Sequence, residues 1–228
     1  MPRQLAFDLP ARAALGRQDF LVAPSNARAV AQLEAWRDWP ERKMVLCGAT
    51  GAGKSHLAAV WAAANGALTV PAADLGQADI ASLGQAAFLV LEDAEEVAER
   101  PKDEAALFHL YNILHATGRY LLLTSTRPPA RWHLQLPDLQ SRLLSVPVVH
   151  LEAPDDALLA ALLVKLFRDR QISVGNEVIS YLISRMDRSA AAAQALVAAL
   201  DKAALSQGKP VSRRLAAQLL DKPDSKGA

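Results

Sequence analysis

The chain has 228 residues, of which 51% are hydrophobic, and its 25 basic and 24 acidic side chains leave a net charge of +1. This composition excludes a disordered chain and argues against a protein that coats DNA or RNA with a basic surface. The single cysteine, Cys47, excludes a disulfide scaffold. No apolar run is long enough to cross a bilayer, and no signal-peptide core is present. We therefore expect a cytoplasmic protein without a membrane partner.

Short apolar segments that alternate with helical patterns predict an α/β domain in the first two thirds of the chain. The segments with the length and composition of strands are 43–47, 68–70, 88–91, 119–124 and 146–151. Helical spacing of apolar residues is found at 26–39, 54–65, 80–83 and 104–117, with a short helix expected from about residue 138. This order predicts a three-layer domain built on a parallel sheet.

After Pro154 the sequence contains only helical patterns. They cover residues 157–170, 177–188, 189–206 and 212–220. We therefore expect four regions along the chain. They are an extended N-terminal segment (1–17), an α/β nucleotide-binding domain (18–153), a small all-helical domain (154–220) and a disordered polar tail (221–228).

A phosphate-binding motif lies between the first predicted strand and the next helix. Residues 48–55 fit G-x-x-x-x-G-K-[ST], the P-loop pattern, in the strand–loop–helix context that it requires. Gly51 and Gly53 let backbone N–H groups turn towards phosphates, Lys54 brings a positive charge, and Ser55 can bind Mg²⁺. The sequence therefore predicts binding of ATP or ADP with Mg²⁺. The residues expected at the nucleotide are Gly48, Ala49, Thr50, Gly51, Ala52, Gly53, Lys54, Ser55 and His56.

An acidic pair follows the strand predicted at 88–91. In P-loop proteins a carboxylate at the end of a second strand helps to hold Mg²⁺, and Glu92 and Asp93 occupy that place here. Glu92 comes first, where aspartate is usual, and its longer side chain is less suited to the tight geometry of Mg²⁺. Glu95 and Glu96 are interpreted as the solvated start of a helix.

Several segments together resemble the AAA+ domain of the bacterial replication initiator DnaA. They are the P-loop followed by His56-Leu57, Val22-Ala-Pro-Ser-Asn26, Thr124-Ser-Thr-Arg-Pro-Pro129 and Ser141-Arg142. The resemblance covers residues 18–220 and implies an AAA+ core followed by a helical lid. It also implies that the segment from Phe20 to Asn26 lines the adenine pocket, although an apolar linker packed on the core fits that segment nearly as well. The initiator carries a DNA-binding domain after its lid, and this sequence stops there, so we expect no dedicated DNA-binding domain.

The first residues resemble the peptides by which proteins dock on the bacterial sliding clamp. Gln4 would form a hydrogen bond at one end of an apolar groove, and Leu5, Phe7 and Leu9 would insert into it. With a DnaA-like core, this peptide is similar to that of regulatory family members that bind the DNA polymerase III clamp and make DnaA hydrolyse its ATP. The implied partners are the clamp and DnaA, with homo-oligomers left open.

The resemblance assigns roles to four further positions. Arg142 falls at the family's arginine finger, which acts on the γ-phosphate held by a neighbouring subunit. Thr126 replaces the polar sensor aspartate, and Ala191 lies where the lid supplies a sensor arginine. Arg188 either substitutes for that arginine or caps a surface turn. Together with Glu92, these departures predict weak intrinsic ATP hydrolysis.

Two other functions fit parts of the pattern. One is an active AAA+ ATPase that loads a helicase or remodels DNA, with the N-terminal peptide incidental. The other is a small-molecule P-loop kinase, which is disfavoured because the sequence offers no acceptor pocket with converging arginines.

Overall fold

The computed structural model describes residues 21–220 of the chain. The strands are β1 (Lys43–Cys47), β2 (Leu68–Pro71), β3 (Phe88–Glu92), β4 (Tyr120–Ser125) and β5 (Val148–His150). The helices are α1 (Pro24–Glu34), α2 (Lys54–Asn65), α3 (Ile80–Leu83), α4 (Pro101–Ala116), α5 (Pro137–Ser145), α6 (Asp156–Asp169), α7 (Asn176–Ile183), α8 (Ala190–Gln207) and α9 (Arg213–Leu220).

The five strands form one parallel sheet in the order β2-β3-β4-β1-β5. This confirms the predicted α/β fold with a parallel sheet. In the central strand β1, Cys47 is in register with Ser125 of β4 and with His150 of β5. The carboxyl ends of the strands therefore meet at one edge of the sheet, where ligands bind in open α/β folds.

Helices cover both faces of the sheet. All of β1 is buried, and its side chains alternate between two apolar clusters. One cluster joins β1 to α1 and α2 through Leu33, Leu46, Leu57 and Trp61. The other joins it to α4 and α5 through Val45, Leu107, Leu110 and Leu139. Because each fully buried Leu or Val contributes about 1.5–3 kcal/mol, these two clusters hold the sheet and its helices together.

Helices α6–α9 share an apolar cluster of their own. Its fully buried members include Leu159, Leu163, Leu182, Val197 and Leu200. The side chain of Asp155 accepts a hydrogen bond from the Leu158 N–H at 2.7 Å and so caps the start of α6. None of the described helices is long and apolar enough to cross a membrane.

Three helix boundaries differ from the sequence prediction. The helix expected over 26–39 ends at Glu34 and continues as a short 3₁₀ turn, Trp36–Asp38. Helix α4 begins at Pro101, three residues before the predicted start, because proline is favoured in the first turn of a helix. The helix expected over 177–188 ends at Ile183, since the polar residues before Ser189 form the turn that starts α8.

A lysine lies fully buried at the start of β1. The Lys43 side-chain amine donates hydrogen bonds to the carbonyls of Glu41 and Arg119, both at 3.0 Å. Burial lowers the pKa of Lys43 to about 8, although the Glu41 carboxylate raises it and Arg42 lowers it further. The folded protein therefore releases this proton at a clearly lower pH than an exposed lysine does.

We expect the free energy of unfolding to rise by about 1 kcal/mol between pH 8 and pH 9 because of Lys43. In this range the unfolded chain keeps the proton and the folded chain loses it, so raising the pH favours the folded state. Burial also raises the pKa of Cys47, which has the opposite effect in the same pH range, so the contribution of Lys43 is the difference in this rise between the wild-type chain and a Lys43→Met variant. Urea denaturation at both pH values measures the rise, and Lys43→Met should remove it. An equal rise in that variant would contradict the assignment.

Candidate nucleotide-binding site

The P-loop joins the carboxyl end of β1 to the start of α2. Gly51 and Gly53 adopt positive φ angles of 79° and 102°, which other residues rarely tolerate. The Lys54 side chain is buried, and its amine donates to the carbonyl oxygens of Gly48 at 2.8 Å and Ala49 at 3.2 Å. The loop has the left-handed turns and the central lysine that a phosphate cradle needs. Ser55 and His56 are exposed in the first turn of α2.

The start of helix α8 lies against this loop. A side chain on Gly51 would come within 2.6 Å of the Ser189 Cβ, so only glycine fits there. The Ser189 hydroxyl accepts a hydrogen bond from the Ala192 N–H at 3.0 Å and caps α8. Ala191 follows two residues later and presents only a methyl group at the place where the resemblance puts the lid arginine.

The contacts that the structure describes for the Arg188 side chain are with residues at the start of α6. Its guanidinium donates to the Pro154 carbonyl at 3.2 Å and pairs with the Asp156 carboxylate at 2.6 Å. The side chain therefore ties the turn before α8 to the start of α6. Of the two alternatives for Arg188, this geometry favours the one in which it holds a surface turn.

The acidic pair predicted from sequence lies at the carboxyl edge of the sheet. Glu92 is the last residue of β3 and is half-buried. Asp93 is exposed in a left-handed conformation, with φ of 51°, and its N–H donates to the Thr124 hydroxyl at 3.0 Å. β3 and β4 are neighbours in the sheet, so this bond joins the acidic pair to the strand end that precedes Thr126.

The interpretation of Glu95 as a solvated residue was wrong. Its side chain is buried, and one carboxylate oxygen accepts hydrogen bonds from both the N–H and the hydroxyl of Thr126, each at 2.6 Å. Glu96 is exposed, as expected. The short 3₁₀ turn after β3 points Glu95 towards the end of β4. Its partner lies 31 residues away in the sequence, so no local pattern marks the contact.

Residues at the start of the described chain connect the core with α6. The Asn26 amide donates to the Leu21 carbonyl at 2.9 Å, and its side-chain oxygen accepts from the Ala23 N–H at 2.8 Å. The Ser25 N–H lies 3.4 Å from the Asp155 carboxylate. The segment expected to line the adenine pocket thus bridges the core and the helical region, while Phe20 lies outside the described residues.

Comparisons with known proteins find similarity to DnaA in both sequence and structure. DnaA of Synechocystis sp. is 29% identical to this chain over 192 residues, and DnaA of Microcystis aeruginosa is 27% identical over 189 residues. Each of these alignments covers 72% of this chain and 42% of the relative. Domain III of Thermotoga maritima DnaA superimposes with a TM-score of 0.77 and 20% identity, covering 94% of this chain and all of that domain. AMPPCP-bound DnaA from Aquifex aeolicus gives 0.69 and 19%, covering 85% of this chain and 66% of its own. No family model matches the sequence.

The chain is similar in sequence to part of DnaA and has the α/β P-loop fold of DnaA domain III. It spans about two fifths of the length of the curated DnaA relatives it matches. The AAA+ fold agrees with the position of the P-loop at the carboxyl edge of the parallel sheet.

In this structure Arg142 lies on α5 and packs against α4. Its guanidinium carbon is 5.8 Å from the ring centres of both Phe108 and Tyr111, and the side chain is half-buried. The Tyr111 hydroxyl donates to the Glu41 carboxylate at 3.2 Å. Burial, reinforced by Glu41, raises the pKa of Tyr111 to about 12, so its hydroxyl stays protonated and keeps this bond.

These contacts place Arg142 near the amino end of β1. Glu41 lies two residues before β1, and the amine of Lys43, the first residue of β1, is 5.6 Å from the same Tyr111 ring. The P-loop lies at the other end of this strand, about 13 Å away at the usual rise per residue. Arg142, the predicted arginine finger, therefore does not lie at the predicted phosphate site of its own chain. The predicted clamp-binding peptide, Gln4 to Leu9, lies outside the described residues.

Proposed function

We propose that this DnaA-like protein is a regulatory inactivator of DnaA of the Hda type. It binds ATP or ADP through its P-loop, docks on the DNA polymerase III sliding clamp through Gln4, Leu5, Phe7 and Leu9, and promotes hydrolysis of the ATP bound by DnaA. This hydrolysis converts the ATP form of DnaA to the ADP form, and initiation of chromosome replication is thereby inhibited.

The position of Arg142 is the observation that carries this proposal. An arginine finger stabilises the negative charge that develops on a transferred phosphoryl group. Arg142 packs at the amino end of β1, with the P-loop of its own chain at the opposite end. A finger so placed serves a nucleotide bound by another subunit. A second copy of this chain could present the same face, so homo-oligomers remain part of the proposal.

The nucleotide site supports binding better than hydrolysis. The P-loop supplies the glycine turns and Lys54, which suit phosphate oxygens. For Mg²⁺ the chain offers the Ser55 hydroxyl and the carboxylate of Glu92, with Asp93 beside it. Within residues 21–220 no group of three or more His, Cys, Asp or Glu side chains could hold a metal alone, so the ion would share phosphate oxygens, as Mg²⁺ commonly does. When bound, Mg²⁺ neutralises phosphate charge.

Weak hydrolysis by the chain itself follows from the groups around that site. Both donors of Thr126 are used by Glu95, so they are not directed at a terminal phosphate. Ala191 has no polar group, and Arg188 is paired with Asp156. We therefore place the protein's effect on its partner's nucleotide rather than on its own.

Clamp-dependent hydrolysis of DnaA-bound ATP tests the proposal. DnaA loaded with labelled ATP is mixed with clamp-loaded DNA and either the wild-type chain or a Gln4→Ala/Phe7→Ala double variant. We expect the wild-type chain to bind the clamp at micromolar concentration or tighter and to convert the ATP to ADP. The double variant should lose both effects, because the groove contacts of the peptide are removed.

Two results would contradict the proposal. One is conversion that is equal with and without the clamp or the intact peptide. The other is rapid turnover by the chain alone that single-stranded DNA stimulates, which is the behaviour of a helicase loader or a DNA-remodelling ATPase.

A further inference from the structure

The helical region carries a cluster of positive charges on its surface. Arg185, Lys209, Arg213 and Arg214 are all exposed and together form the basic patch. Two of them meet on one aromatic ring. The guanidinium carbon of Arg185 lies 4.1 Å from the centre of the Tyr181 ring, and that of Arg213 lies 5.2 Å from the same centre. Cation–π attraction to this ring therefore holds both guanidinium groups side by side at the surface.

A small cavity extends the basic patch to the turn between α8 and α9. Its volume is about 170 Å³, which is below the range of sites for drug-sized ligands. The polar side chains that line it can all donate hydrogen bonds, and they are Lys209, Arg214, Ser212, Gln207 and Gln218. No carboxylate of the described residues lines the cavity. Since Arg213 and Arg214 are adjacent in the chain, they connect the cavity with the Tyr181 ring.

The charges of the basic patch are not balanced by carboxylates. Within residues 21–220 none of its four side chains is ion-paired with an acidic one, whereas Arg188 of the same region is paired with Asp156. Arg213 and Arg214 open α9, whose first turn has no acidic side chain. Because the helix dipole disfavours positive charges at this end, the arrangement is electrostatically unfavourable until an anion approaches. Local conflicts of this kind are typical of functional surfaces.

The chemistry of the basic patch fits the backbone of duplex DNA. Proteins bind DNA phosphates through arginine, lysine, serine and glutamine side chains, which are the types present here. A single strand would need exposed aromatic rings for its bases, but Tyr181 is only 8% exposed. A membrane surface would need an apolar face to insert, but the exposed side chains from Gln207 to Arg214 include no large apolar group, and a single exposed leucine, Leu205, precedes them.

We infer that the basic patch binds the phosphate backbone of duplex DNA without sequence preference. This inference goes beyond the proposed function and does not depend on it. Helix α8 has 18 residues, so the cavity at its end lies about 27 Å from its start at Ser189, which contacts the P-loop. DNA at the basic patch therefore leaves the P-loop free. In a chain docked on a clamp that encircles DNA, this backbone contact would be intramolecular and would strengthen the docking.

The salt dependence of DNA binding tests this inference. A fluorescently labelled duplex of mixed sequence is titrated with the full chain at salt concentrations from about 50 mM to about 200 mM, and binding is followed by anisotropy. Each phosphate that the protein neutralises adds about −0.9 to the slope of the logarithm of the binding constant against the logarithm of the salt concentration. The four positive groups therefore predict a slope of about −3 to −4, with a dissociation constant of about 10⁻⁴ to 10⁻⁶ M at physiological salt.

Three double variants separate the basic patch from the rest of the surface. Arg213→Gln/Arg214→Gln should reduce the magnitude of the slope by about two and weaken binding by about tenfold or more. Arg213→Lys/Arg214→Lys keeps both charges and should keep the slope. The matched control, Arg28→Gln/Arg37→Gln, removes two exposed arginines from α1 and the 3₁₀ turn after it and should bind as the wild-type chain does. Urea denaturation checks that each variant is folded, as we expect for exposed positions.

Three results would overturn the inference. The first is no binding of the duplex by the wild-type chain at about 50 mM salt. The second is a slope in Arg213→Gln/Arg214→Gln that equals that of the wild-type chain or of the control variant. The third is binding of a single-stranded oligonucleotide or of phosphatidylserine vesicles in place of the duplex. Each of these results leaves the proposed function standing, because clamp-dependent hydrolysis of DnaA-bound ATP is measured separately with the Gln4→Ala/Phe7→Ala variant.

Discussion

Replacing Arg142 by alanine is expected to lower the rate at which DnaA-bound ATP is hydrolysed by about 10³-fold or more relative to the wild-type chain. The guanidinium would no longer neutralise charge on the transferred phosphoryl group, whereas the P-loop, at the other end of β1, stays intact. The rate of loss of labelled ATP from DnaA, measured with clamp-loaded DNA, gives the effect. Nucleotide binding by the variant itself should equal that of the wild-type chain.

Two controls separate this role from a loss of packing. Arg142→Lys keeps a positive charge near Phe108 and Tyr111 but lacks the planar fork of donors, so it should restore only a small part of the rate. Arg28→Ala removes an exposed arginine from α1 and should leave the rate unchanged. If Arg142→Ala promotes hydrolysis as fast as the wild-type chain, Arg142 is not the finger.

The helices and strands that the sequence predicted most accurately are those with a recognisable sequence pattern at both ends. Strand β1 and helix α2 match the predicted ranges because an apolar run leads into the glycine-rich loop and a glycine in the left-handed conformation, Gly66, ends the helix. The helix expected over 26–39 was too long, because the spacing of Leu33 and Trp36 also fits a helix followed by a 3₁₀ turn. Both side chains pack towards the same cluster in either case.

The candidate site also contains one part that the sequence predicts and another part that it does not. The phosphate cradle is a local motif, so its residues could be assigned from eight consecutive letters. The contact of Glu95 with Thr126 spans 31 residues and arises only because β3 and β4 are neighbours in the sheet. Similarly, nothing in the sequence indicates that Lys43, at the start of an apolar strand, is buried with its amine on two carbonyl groups.

Glu104 is the second residue whose replacement should have a large effect. It is 1% exposed, and its carboxylate accepts hydrogen bonds from the N–H groups of Glu99 at 3.0 Å, Gln135 at 2.9 Å and Leu136 at 2.8 Å. Leu136 is the N-cap residue directly before α5, so this one side chain on α4 fixes the start of the helix that carries Arg142. Bonds of this kind to a charged acceptor are about twice as strong as neutral ones.

Glu104→Ala is expected to lower the free energy of unfolding by about 3–5 kcal/mol, because three N–H groups lose their acceptor and a cavity remains. Urea denaturation followed by circular dichroism measures the loss. Glu104→Gln keeps one acceptor oxygen and should lose about half as much, while Glu96→Ala, at an exposed site, should change little. A loss below about 1 kcal/mol in Glu104→Ala would mean that water replaces the carboxylate.

If α5 is held as described, Glu104→Gln should also slow hydrolysis of DnaA-bound ATP at temperatures where the variant remains folded, since Arg142 would then be less well positioned.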